Sequence, residues 1–135
     1  MTRGVLEPVI AIAASPRDWA PRLRRHVAGH GGARIRATVL HDDDAREESF
    51  EVLVVDDTTS FLTQRLVLEL HDQGRRVLGV YEDLTGRRQL IALGVDHVVE
   101  RTVSIQELLA AVSKLAAGAR RHECPPPGTG GEGKP

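Results

Sequence analysis

The stretch EVLVVDDTTSF, Glu51 to Phe61, is the key to the architecture of this chain. Val52, Leu53, Val54 and Val55 are four consecutive apolar residues, a pattern that leaves a strand no wet face and requires cover on both sides. The run then enters two carboxylates, Asp56 and Asp57, and three hydroxyls, Thr58, Thr59 and Ser60. Ligands of open α/β sheets bind outside the carboxyl ends of the strands. A carboxylate ending a buried strand therefore stands where such a fold does its work, and Asp56 is the first candidate functional residue.

The neighbouring segments repeat the pattern. PVIAIAAS, Pro8 to Ser15, is a short apolar run bounded by prolines and reads as a first buried strand. Asp18 can cap the helix after it, Pro21 is tolerated in its first turn, and Trp19, Leu23 and Val27 recur at helical spacing before GHGG stops it. RIRATVLH, Arg34 to His41, reads as an outer strand, separated from EVLVVDD by an acidic loop, DDDAREES. Beyond Phe61, Leu62, Leu66 and Leu70 form a stripe capped by Thr58, Thr59 or Ser60 and ended at Gly74. RVLGVYE, Arg76 to Glu82, and DHVVE, Asp96 to Glu100, are two more strands around a short helix, Gly86 to Gly94. The last helix opens with SIQE, in which Ser104 and Glu107 suit a capping box, and its apolar face runs Ile105, Leu108, Leu109, Val112, Leu115 and Ala116.

Composition bounds what such a chain can be. With 135 residues, 41% apolar and 27% charged, one core and one domain are expected, residues 1–121, followed by a Pro/Gly-rich linker or tail at 122–135. The 18 basic and 19 acidic residues nearly cancel, and no aromatic residues interleave the arginines, so nucleic acid is not an expected partner. No apolar run approaches the about 20 residues of a membrane span, and the first segment is too short and β-like for a secretory signal, which points to a cytoplasmic protein without membrane insertion. One cysteine, Cys124, cannot form an internal disulfide, and the six histidines show no metal-ligand spacing. His41, beside the acidic loop, is the one histidine that merits testing.

Five strands alternating with helices through short connections give an α/β domain with a parallel sheet covered on both faces, a three-layer (βα)5 arrangement. The expected strand order is 2-1-3-4-5, which brings the ends of the first and third strands to the switch point beside Asp56. EVLVVDD, and ALGVDHVVERTVSIQELLAAV from Ala92 onward, resemble the third strand and the C-terminal part of the CheY-like receiver domains of response regulators, across about residues 8 to 117. The resemblance implies that Asp56 stands at the phospho-acceptor position. It also implies an acidic, magnesium-binding pair after the first strand, where this chain has Ala13, Ala14 and Ser15. A small hydroxyl belongs after the fourth strand and a lysine after the fifth; here stand Tyr81, Glu82 and Arg101.

Phosphoryl transfer to a carboxylate rests on neutralising the phosphoryl oxygens with a metal and a cation. Lacking the metal-binding pair, the chain resembles a divergent pseudo-receiver: no catalytic residue, no metal, no cofactor, and not an enzyme. Asp57 is not expected to replace the pair, because adjacent strand residues point to opposite faces. Asp56 is then structural, with Arg101 as its expected partner. Followed by a Pro/Gly linker, such a domain resembles the N-terminal module of the TadZ/CpaE-type, MinD-like ATPases of pilus assembly and septum-site determination. That resemblance implies regulation or localisation of an attached or associated P-loop ATPase. The alternatives are a phospho-accepting regulator using Asp56 and a flavodoxin-like binder of a small ligand, although SPRDWAP offers few backbone donors for a phosphate.

Three surface features complete the reading. GTGGEGK, Gly128 to Lys134, matches the spacing of a phosphate-binding loop. It lacks the preceding strand, the following helix and the hydroxyl after the lysine, so it reads as linker. The receiver resemblance implies a partner or homodimer face on the fourth helix, fifth strand and fifth helix, here carrying Arg87, Arg88, His97 and Glu100. Arg22, Arg24, Arg25, Arg34 and Arg36 oppose Asp42, Asp43, Asp44, Glu47, Glu48 and Glu51, a bipolar pattern that suits a solvated surface or head-to-tail self-association.

Overall fold

The structure is a computed structural model and describes residues 7–123. Five parallel strands, β1 (Val9–Ala13), β2 (Arg34–Val39), β3 (Val52–Asp56), β4 (Arg76–Tyr81) and β5 (His97–Glu100), form one sheet in the order β2-β1-β3-β4-β5. Five helices connect them: α1 (Trp19–His30), α2 (Asp42–Glu47), α3 (Gln64–Asp72), α4 (Leu84–Leu93) and α5 (Ile105–Glu123). The expected flavodoxin/CheY-like topology is the observed one.

The strand period of two sorts the core into two layers. Ile10 and Ile12 of β1, Val52 and Val54 of β3, and Leu78 and Val80 of β4 face α1 and α5, packing with Trp19, Leu23, Leu108 and Val112. Ala11, Ala13, Leu53, Val55 and Val77 face the other way, onto Leu66, Val67, Leu70 and Leu90 of α3 and α4. Each fully buried Val, Leu or Ile side chain among them contributes about 1.5–3 kcal/mol. β3 lies centrally and is buried along its whole length, as its unbroken apolar run requires.

Three local expectations are corrected. The acidic segment after β2 is a helix, α2, and not a loop, so β2 ends at Val39 rather than at His41. Carboxylates in a first turn favour the positive end of the helix dipole. The Asp44 carboxylate accepts from the Leu40 and His41 N–H groups, and Arg46 pairs with Asp42, Asp43 and Glu69. The cap of α3 is Thr63, whose hydroxyl accepts from Leu66 N at 3.1 Å; Thr58 and Thr59 serve Asp56 instead. α4 begins two residues earlier than the apolar pattern suggests, because the Asp83 carboxylate caps it by accepting from Gly86 N at 2.9 Å. It ends, as expected, at Gly94 in the left-handed region (φ 94°). The capping box of α5 forms as read, with Glu107 N donating to the Ser104 hydroxyl at 3.1 Å. Cys124 and the GTGGEGK segment lie outside the described residues.

Candidate functional site at the carboxyl edge of the sheet

Asp56 closes β3 at the point where β1 and β3 end side by side, and only 1% of it is exposed. Alternation carries its side chain toward α1, the side to which Val52 and Val54 point. The donors around it come from the loops after β1 and β3 and from the first residue of α1. Oδ2 accepts from the Ser15 hydroxyl and from Trp19 Nε1 at 2.7 Å. Oδ1 accepts from the Thr58 N–H at 2.8 Å, the Thr58 hydroxyl at 2.5 Å and, at 3.4 Å, the Thr59 hydroxyl. Burial pushes the Asp56 carboxyl up, but the bonds from Ser15, Thr58 and Trp19 outweigh it and hold the group below the ordinary carboxylate range. Asp56 is thus a buried anion with both oxygens occupied.

Asp57 turns the other way, toward the start of α4. Arg17, from the β1–α1 loop, makes a two-pronged contact with it, Nη1 to Oδ1 and, at 3.4 Å, Nη2 to Oδ2. The same guanidinium reaches Glu82, after β4, with Nε 3.1 Å from Oε1. Its backbone N–H donates to the Ser15 hydroxyl at 3.1 Å, joining it to the Asp56 network. The hydrogen bond to Asp57 is the main cause that keeps the Arg17 guanidinium firmly charged, with Asp56 and Glu82 adding to it. Gly86 lets α4 close over this pair: a Cβ there would lie 2.5 Å from Asp57 Oδ2. One cation therefore ties together the loops after β1, β3 and β4.

The residues do not fit the divalent cation that the receiver resemblance implies. Such an ion takes several oxygen ligands, and Ala13 and Ala14 offer no side-chain oxygen. The Ser15 hydroxyl and the Asp56 and Asp57 carboxylates are already committed to one another and to Arg17. Among the described residues no group of three His, Cys, Asp or Glu could hold a metal. The expected pairing of Asp56 with Arg101 does not form either. Arg101 is exposed, and what it contributes is its backbone N–H, which donates to Tyr81 O at 2.8 Å. The cation of this site is Arg17.

Arg17 and Trp19 were not legible as site residues in the sequence. The signal was SPRDWAP itself, an arginine and an indole in the segment that follows the positions, Ala13 to Ser15, where the resemblance calls for carboxylates. The remaining expected residues stand apart from this site: Arg87 and Arg88 are exposed on α4, and His97 and Glu100 are exposed at the two ends of β5.

Comparison with known proteins places the fold. The chain matches no protein-family model and no curated protein. Among solved structures it is similar to the signal receiver domain of the putative response regulator NarL from Mycobacterium tuberculosis, with a TM-score of 0.67 at 12% identity, over 83% of this chain and 98% of that one. It is similar to the CheY-like response regulator receiver domain from Methanospirillum hungatei JF-1, with a TM-score of 0.64 at 13% identity, over 87% and 99% of the two chains. The receiver domain of a Luxo repressor protein from Vibrio parahaemolyticus gives a TM-score of 0.64 at 13% identity, over 87% and 96%. The fold is that of receiver domains.

Proposed function

We propose that this domain is a receiver-type regulatory module that is not switched by phosphorylation, and that it works by binding a protein partner. The observation that carries the reading is Arg17. A phosphoryl donor approaching Asp56 needs its own charge neutralised at the moment of transfer, and here Arg17, the one cation at the site among the described residues, is spent on Asp57 and Glu82. Both Asp56 oxygens already accept hydrogen bonds, so attack would break a satisfied buried network as well. The carboxylate acts as a structural anchor. Enzymatic chemistry is no part of this reading.

The partner we favour is a P-loop ATPase of the MinD-like kind, attached or associated, which the domain would localise or regulate in pilus assembly or septum placement. The sequence resemblance to TadZ/CpaE-type proteins supports that choice. The contact face would be α4, β5 and α5, where Leu84 and Ile91, 64% and 48% exposed, lie among Arg87, Arg88, His97 and Glu100. Apolar anchors within a polar rim suit a modest protein interface. Among the described residues no helix is long and apolar enough to cross a membrane.

Incubation of the chain with acetyl phosphate and magnesium, followed by intact-mass measurement, tests the switch. The expected result is an unmodified mass and no change in Trp19 emission on adding beryllofluoride and magnesium. A stoichiometric phosphoryl adduct mapped to Asp56 would overturn the reading and favour a phospho-accepting regulator.

A further inference from the structure

Part of the charge pattern noted in the sequence, the arginines of α1 and the carboxylates of α2, lies on opposite faces of the sheet. α1 holds three arginines, Arg22, Arg24 and Arg25, and no carboxylate. Arg22, Arg25, His26, His30 and Ile105, the first residue of α5, line an open groove of about 290 Å³. Arg24 is turned away, donating to the Thr38 hydroxyl of β2 at 2.5 Å. Among the described residues Arg22 and Arg25 have no carboxylate partner, in contrast to Arg17 and Arg46. The groove is a cationic surface whose two arginines carry no ion pair among the described residues.

The complementary surface is α2. Asp42, Asp43, Asp44, Glu47 and Glu48 stand there, with Arg46 paired to Asp42 and Asp43, Arg36 Nε 3.9 Å from Glu48, and Arg75 donating to the Ala45 and Glu48 carbonyls. The Asp43 side chain is 80% exposed even while it touches Arg46, and Glu47 is exposed without an ion-pair partner among the described residues. α1 packs on the layer with α5, and α2 on the layer with α3 and α4. The α1 arginines and the α2 carboxylates therefore lie on opposite faces of the sheet, and the basic and acidic sets meet within one molecule where Arg36 lies 3.9 Å from Glu48.

We propose that the α1 groove receives the α2 helix of a second copy of this chain. Charge complementarity selects that occupant: the chain itself displays, on α2, the acidic surface that the groove requires. Because the two surfaces differ and lie on opposite faces of the sheet, the contact is heterologous and does not close at a dimer. Copies add head to tail, and a regulatory domain built this way would cluster whatever is attached to it. The contact is electrostatic and solvent-edged, so it weakens steeply with salt. This assembly depends on neither Asp56 nor the α4 face and stands or falls separately from the proposed function.

The test is a charge-swap complementation with the full chain. Wild type, R22E/R25E, D43K/E47K and R87E/R88E are compared by sedimentation velocity across a concentration series at low and high salt, with circular dichroism to show that each is folded. At low salt the weight-average mass of wild type is expected to rise continuously, by about twofold or more, and to return to the monomer value at high salt. R22E/R25E and D43K/E47K should each remain monomeric, being acidic or basic on both surfaces. Their equimolar mixture should associate again, since it restores one native and one inverted pairing, and R87E/R88E should behave as wild type. A wild-type chain that stays monomeric at low salt, a mixture that fails to associate, or association abolished by R87E/R88E alone would each overturn the proposal.

Discussion

A buried carboxylate is stable in proportion to the donors that surround it, and at Asp56 those donors sit on both oxygens. Asp56→Asn keeps the shape but turns one oxygen into an NH2 group. That group must face either Trp19 Nε1 or the Thr58 N–H, both donors within 2.8 Å of the present oxygens. A donor set against a donor in a buried site costs about 2 kcal/mol, expected as a fall of roughly 1 M in the urea midpoint. Trp19 is the one tryptophan of the chain, so its emission reports the rearrangement directly. The pH dependence has a defined sign. Because the folded pKa of Asp56 lies below its unfolded value, its stabilisation is complete above the unfolded value of about 3.9 and is lost as pH falls through the folded one. Wild type should lose stability over that acidic window more steeply than Asp56→Asn, measured by urea titrations at successive pH values.

At the scale of elements, the contact between α4 and the loop after β3 governs the start of that helix. Alanine normally stabilises a helix relative to glycine by about 1 kcal/mol. At Gly86 the sign should reverse, because the added methyl would lie 2.5 Å from Asp57 Oδ2 and 2.7 Å from its Cγ. Either α4 or Asp57 must shift, loosening the Arg17 contact, and overpacking of this kind costs about 1–3 kcal/mol. Gly86→Ala is expected to destabilise the chain, and to cost less on an Asp57→Ala background, where the carboxylate is gone; a double-mutant cycle by urea unfolding reads the coupling. Helices differ in how openly the sequence announces them. α5 was readable because Ser104 and Glu107 cap it and its apolar face recurs over several turns. α2 was not, because it buries a single residue, Ala45, and one apolar position has no period to detect. Its order rests on Asp44 at its start and on Arg46 reaching across to Glu69 of α3.

Taken as a whole, the molecule has two apolar layers that share one sheet, and neither layer survives without the strands that separate them. Trp19 reports the layer beneath α1 and α5, whereas far-UV circular dichroism reports helices of both layers. The two signals should unfold at one common urea midpoint; separate midpoints would show that the layers fold independently. The strand order and the two-sided core were legible in the chain because burial on both faces demands unbroken apolar runs, and because short connections with right-handed crossovers leave few ways to assemble them. Asp56 was legible for the same reason, as the polar residue that ends the central run. Its partners were not. Arg101 looked like the cation from its position after β5, yet Arg17, 39 residues before Asp56 in the chain, supplies the charge at this edge of the sheet, and Ser15, Trp19 and Thr58 hold the Asp56 carboxylate. Hydrophobic patterning is a property of neighbouring residues and can be read along a chain. Which cation reaches which carboxylate depends on loops brought together from three strand ends, on the length and rotamer of a side chain, and on the missing Cβ of one glycine, and those are settled when the sheet assembles.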